Sequence, residues 1–99
     1  MMISLLVGLK CKLKKPYRVK MHGRAGLTYK ENERSMFVDC ELLLDKGQHG
    51  ICIYKDSIKG WKNPHDNQAL DDVERRRILI NIVVHFEKLG YTVYVCPSY

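Results

Sequence analysis

The sequence predicts an α+β domain: a mainly antiparallel sheet of four to six strands, one long C-terminal helix packed on one face, and a closing C-terminal strand. Two stretches within residues 17–44 alternate apolar and polar side chains with a period of two, which is typical of half-buried strands. Residues 51–54 form a short, almost wholly apolar run, as expected for a central strand. Residues 72–89 place apolar side chains at helical spacing, and a glycine and another alternating run follow them.

The alternating runs assign side chains to the faces of the sheet. Tyr17, Val19 and Met21 share one face, and Gly23 and Gly26 interrupt the pattern. The polar segment 31–34 predicts a hairpin turn before the longest strand. One face of that strand is expected to carry Met36, Val38, Cys40, Leu42 and Leu44.

Capping signals predict where the helical segments begin and end. Asp56 is expected to cap a single helical turn that places Ile58 and Trp61 on one face. Asp71, three residues before Glu74, resembles a capping box at the start of the long helix. Gly90 supplies a left-handed residue that ends this helix.

The long helix is apolar over more than one face. Its predicted core stripe consists of Ile78, Leu79, Ile82, Phe86 and Leu89. Two interpretations stay open for Ile80, Val83 and Val84, which lie well round from that stripe. Either the N-terminal run or the loop at residues 62–69 covers them, or they are exposed for a partner, which could be a second copy of the chain in a homodimer through the helix.

Length and charge predict one domain spanning residues 1–99, with residues 1–15 as a basic, loosely held arm or a first strand. The chain has 99 residues and a formal net charge of +6, and residues 1–24 contain seven Lys or Arg and no acid. This segment is either solvated or in contact with an acidic partner or nucleic acid. The residues that would bind nucleic acid are Lys10, Lys12, Lys14, Lys15 and Arg18.

The apolar run at residues 2–9 does not have the charge order of a secretory signal, because the lysines follow it, and it is too short to span a bilayer. We therefore expect a cytoplasmic protein without membrane association.

The four cysteines, Cys11, Cys40, Cys52 and Cys96, show no paired spacing. We interpret them as reduced core thiols, with a disulfide or metal site as the weaker alternative.

No motif indicates catalysis, a cofactor or a metal. A nucleophilic cysteine needs a nearby histidine, and Cys52 with His49 or His65 forms no recognisable signature. We therefore predict a protein that is not an enzyme, and a small enzyme built on Cys52 or His65 is the last-ranked alternative. The candidate contacts for a partner are Lys59, Trp61, Arg75, Arg76 and Val84.

Each candidate contact also has a structural interpretation. Trp61 could be a lid over the sheet edge instead of a binding anchor. The arginine run at residues 75–77 could form an ordinary charged helix face, because consecutive helical residues point about 100° apart.

Four segments resemble the bacterial polymorphic-toxin immunity proteins of type seventy-four. They are residues 29–44, 53–61, 74–79 and 90–93, and the string Tyr-x-Asp-Ser-Ile-x-x-Trp at residues 54–61 is the most specific. The resemblance covers residues 17–96 and implies a protein that binds a toxin and blocks it by occupation. It supplies no binding residues to carry over. Inhibitors of nucleases are often acidic and this chain is basic, which leaves two interpretations open: either the target is acidic, or the inhibition does not involve mimicry. The alternative function is a small basic nucleic-acid-binding module.

Overall fold

The computed structural model describes residues 17–44 and 49–98 and shows a five-stranded sheet with one α-helix packed across one face. The strands lie side by side in chain order. The first three neighbouring pairs are antiparallel and the last pair is parallel, so the predicted α+β class is confirmed. The elements are β1 (Tyr17–Met21), β2 (Ala25–Glu31), β3 (Arg34–Leu43), β4 (Gly50–Tyr54), a 3₁₀ turn (Lys55–Ser57), α1 (Asp72–Lys88) and β5 (Thr92–Cys96).

Tight turns join β1 to β2 and β2 to β3, whereas a long crossover joins the parallel pair. Asn32, in the β2–β3 turn, adopts a φ of 57°, and Glu31 pairs with Arg34 across it, which confirms the predicted hairpin. The crossover from β4 to β5 contains the 3₁₀ turn, a loop and α1, and it returns the chain in the direction of β4.

The core lies between α1 and one face of the sheet. Leu27, Tyr29, Met36 and Val38, which the strand pattern assigns inward, are buried, whereas the inward side chains of the edge strand β1 are partly buried. On α1, the buried side chains are Ile78, Ile82 and Phe86.

Leu89 was predicted to belong to the core stripe of the helix, and Leu44 was assigned to the strand face that carries Met36 and Val38; both are exposed. Leu89 is 61% exposed because α1 ends at Lys88 and Leu89 is its C-cap. Leu44 is 43% exposed because β3 ends one residue before it.

The long helix has the predicted ends. The Asp71 carboxylate accepts a 2.8 Å hydrogen bond from the Glu74 amide, an interaction worth about 1 kcal/mol. Gly90 has a φ of 93°, a conformation that side-chain-bearing residues adopt only with strain. No helix among the described residues has the length and apolar character needed to cross a membrane.

The prediction that Asp56 caps the short helical turn was wrong. Ser57 holds this turn instead. Its hydroxyl donates to the Tyr54 carbonyl at 2.6 Å and accepts from the Asp39 amide at 2.8 Å. The second bond attaches the turn to strand β3, a tertiary contact that the local sequence does not indicate.

A buried carboxylate joins α1 to the end of β2. The Glu31 side chain is 8% exposed, and both of its oxygens accept hydrogen bonds from the Arg77 guanidinium, one of them at 2.9 Å. It also accepts from the Tyr29 hydroxyl at 3.1 Å, and Asn81 donates to that same hydroxyl at 2.9 Å. Two residues from the sheet and two from the helix therefore form one polar network.

The network shifts the pKa values of its members. Hydrogen bonds from Arg77 hold the pKa of Glu31 below its ordinary value, although burial opposes this shift. Burial raises the pKa of Tyr29 to about 12, so its hydroxyl stays protonated and can donate to Glu31.

The cysteine prediction is partly wrong. Cys52 and Cys96 form a disulfide between β4 and β5, with their Cα atoms 6.4 Å apart. Cys52 lies opposite Tyr94 in the parallel register, so Cys96 is its diagonal neighbour on the same face. The 44-residue separation gives no local signal for this pairing. Cys40 is a buried free thiol, as expected, and burial raises its pKa to about 11. Cys11 lies outside the described residues.

Replacing Glu31 with Gln tests the network. We expect Glu31→Gln to lower the free energy of unfolding by about 1–2 kcal/mol at pH 7, because Arg77 loses a charged acceptor but remains 44% exposed. Chemical denaturation at several pH values measures the difference from wild type. Glu33→Gln, in the exposed turn, is the matched control.

The effect should depend on pH in one direction. Because the folded-state pKa of Glu31 is lowered, its ionised form stabilises the fold above the ordinary value of 4.5, and this contribution disappears as the pH falls through the folded-state pKa. The gap between wild type and Glu31→Gln should be constant above about pH 5 and should narrow below it. A gap that widens on acidification would contradict this role.

Candidate partner-binding surface

A cleft lies between the 3₁₀ turn and the N-terminal half of α1. It consists of two adjoining hollows of about 250 and 440 Å³. Leu79 is partly buried and provides apolar surface within the cleft, whereas Ile58 lies beneath it in the core. The remaining lining is charged and comprises Lys55, Asp56, Lys59, Asp72, Arg75 and Arg76.

Arg75 builds one wall of the cleft by tying the crossover loop to the helix. Its Nε donates to the Ile58 carbonyl at 3.0 Å, and one terminal nitrogen donates to the Leu70 carbonyl at 3.1 Å. The other terminal nitrogen pairs with Asp72 at 2.6 Å. The guanidinium therefore closes the two ends of the segment 58–70, and its donors are directed at the protein itself.

The other cations of the cleft are directed outward. Lys55, Lys59 and Arg76 are exposed, and within the described part of the chain none of them forms an ion pair. Four cationic and two acidic side chains line the cleft, so its net charge is positive. The free cations around an apolar patch can attract an acidic surface.

The structure brings three of the five predicted contacts together. Lys59, Arg75 and Arg76 line this cleft although 16 residues separate Lys59 from Arg75 in the sequence. Val84 is half-buried, lies two turns further along α1 and does not line the cleft. Sequence reasoning missed Lys55 and Asp56 as lining residues, although both belong to the Tyr-x-Asp-Ser string.

Trp61 lies in the core and not at the surface of the cleft. Its side chain is 3% exposed, and its ring packs near Tyr29. The Arg34 guanidinium covers it at 4.2 Å from the ring centroid. Trp61 thus anchors the crossover loop on the sheet, and a direct contact with a partner would require its exposure.

The residues considered for other chemistry are dispersed. Cys52 is buried and disulfide-bonded, so it has no free thiol to act as a nucleophile. The part of the chain that the structure describes contains no cluster of three or more His, Cys, Asp or Glu side chains that could hold a metal. Lys10, Lys12, Lys14 and Lys15 lie outside residues 17–44 and 49–98. Arg18 is exposed on the sheet face away from α1, directly opposite Lys30.

A family model described as immunity protein 74 matches residues 18–96. The chain belongs to the immunity protein 74 family. The match includes the five strands from Arg18 onward, the Tyr-x-Asp-Ser string, the cleft and α1, so the resemblance inferred from the sequence is confirmed. No curated protein and no solved structure gives a significant match.

Neighbouring arginines test the cleft wall. We expect Arg75→Ala to lower the free energy of unfolding by about 1–2 kcal/mol, because two partly buried carbonyls lose their donors. The matched control is Arg76→Ala, which should change it by less than about 0.5 kcal/mol because Arg76 is exposed and unpaired among the described residues. Urea denaturation of both variants measures the difference, and equal values would contradict this division of roles.

Proposed function

We propose that this chain is a non-enzymatic immunity protein that binds a cognate bacterial toxin of a polymorphic toxin system and neutralises it by occupation. Membership in the immunity protein 74 family supports this proposal. An immunity protein of this kind acts in the cytoplasm and needs shape and charge complementarity instead of catalytic groups or a cofactor.

The charged cleft is the observation that carries the proposal. Arg75 bridges the loop and the helix, so the cleft is preformed and little ordering is required when a partner binds. Lys55, Lys59 and Arg76 surround it with positive charge that the described chain does not neutralise. Its complement is an acidic segment of the toxin with an apolar side chain that contacts Leu79.

The basic charge of the chain favours direct contact over substrate mimicry. An inhibitor that imitates nucleic acid presents acidic groups, whereas the net charge of this protein is +6. We therefore propose that the toxin contributes the acidic side of the interface. The charges would increase the association rate and select the partner, and the apolar contacts would contribute affinity.

Charge reversal in the cleft tests the proposal. The double variant Lys55→Glu/Lys59→Glu should weaken binding to the toxin encoded beside this gene by about 100-fold, because two attractions become repulsions worth about tenfold each. Calorimetry measures the affinity, and survival of toxin-expressing cells measures protection. The absence of a complex between wild type and that toxin would contradict the function.

The control changes the same number of charges elsewhere. Lys20→Glu/Lys30→Glu alters two exposed lysines on the sheet face away from α1 and should leave toxin binding unchanged.

The same double variant also tests nucleic-acid binding, the second candidate function, which is favoured by one observation. Arg18 and Lys30 lie directly opposite each other, an arrangement that is unfavourable without an anion nearby.

If nucleic acid is the ligand, the Lys20→Glu/Lys30→Glu control and removal of residues 1–15 should both weaken binding. Binding by wild type should also decrease steeply with salt. Undetectable binding at low salt would exclude this candidate.

A further inference from the structure

The outer face of α1 carries apolar side chains that point away from the sheet. Val73 is 79% exposed and Ile80 is 53% exposed, whereas Val83 and Val84 are half-buried. At about 100° per residue, these four positions fall within one stripe opposite the buried face of Ile78 and Ile82. The described residues contain no second α-helix that could cover this stripe.

One charged residue lies towards each end of the stripe. Arg76 and Glu87 are 11 residues apart, which places them about 20° from each other around the helix and about 16 Å apart along it. Both are exposed, and within the described residues neither has an ion-pair partner. Arg75 and Arg77, which flank Arg76 in the sequence, both form ion pairs.

We propose that this face binds a second copy of the chain, with the two α1 helices antiparallel about a two-fold axis. The midpoint between Arg76 and Glu87 is also the midpoint between Ile80 and Val83. An antiparallel pair centred there places Arg76 opposite Glu87 of the other copy and Ile80 opposite Val83. Two-fold symmetry then forms each contact twice.

Charge complementarity selects this occupant and this orientation. The stripe is self-complementary, because it carries a cation towards one end, an anion towards the other and apolar residues between them. A parallel pair would place Arg76 against Arg76 and Glu87 against Glu87. The helix has 17 residues and is about 25 Å long, so the interface is small and the dimer should be in the micromolar range.

Complementary charge reversal tests both the dimer and its register. Analytical ultracentrifugation of wild type from about 1 to 500 µM should show a monomer–dimer equilibrium. Arg76→Glu alone and Glu87→Arg alone should each weaken dimerisation at least tenfold, because each creates two like-charge pairs. An equimolar mixture of the two variants should restore the dimer as a heterodimer, and the double variant Arg76→Glu/Glu87→Arg should restore the homodimer.

Two controls separate charge from folding. Lys62→Glu changes one exposed loop charge and should leave dimerisation unchanged, and circular dichroism should show native helix content in every variant. Ile80→Asp should abolish the dimer and leave the fold intact, because Ile80 is outside the core cluster.

Each negative result is decisive. A wild-type monomer at about 500 µM overturns the dimer, and single variants that dimerise like wild type overturn the register. Failure of the mixture to restore association overturns the antiparallel pairing. The dimer and the toxin interface are tested separately, because Lys55 and Lys59 lie outside the stripe. If wild type alone is monomeric and Ile80→Asp loses toxin binding, the stripe belongs to the toxin interface and the dimer proposal fails.

Discussion

The Glu31 carboxylate constrains how helix α1 lies on the sheet. It is buried at the end of β2, where an unpaired charge would be strongly unfavourable, and Arg77 supplies the charge and the hydrogen bonds that it needs. Asn81, one turn further along, contacts Tyr29 beside it. These polar contacts complement apolar packing, which is not directional, and together they specify the rotation of α1 about its axis.

That rotation gives the three consecutive arginines different roles. Arg77 faces Glu31, Arg75 faces the carbonyls of the crossover loop, and Arg76 is left pointing into solvent. The separation of about 100° between successive residues makes this division unavoidable once Arg77 is bound. The cationic cleft and the apolar outer stripe follow from the same rotation. Arg76 lies at the border between them, so the toxin and dimer experiments rely on Lys55, Lys59 and Ile80 to separate the two surfaces.

Much of the fold could be predicted because its signals are local. The Asp71 cap, the Gly90 stop and the hairpin turn at Asn32 each depend on a few adjacent residues, and all three are present in the structure. The site was only partly predictable. Lys59, Arg75 and Arg76 were identified by residue type, but their common cleft depends on the path of the crossover loop. Trp61 is of a residue type that often anchors interfaces, yet the loop that carries it turns inward and buries it.

The sequence by itself determined the α+β class, the element order and the family, because periodicity, capping residues and the Tyr-x-Asp-Ser string are properties of short segments. Only the tertiary structure decided that Cys52 bonds Cys96, that Ser57 rather than Asp56 holds the 3₁₀ turn, and that Glu31 pairs with Arg77. The pairs Cys52–Cys96, Asp39–Ser57 and Glu31–Arg77 are each 18 or more positions apart, and the chain brings them together only when the sheet forms and α1 packs on it.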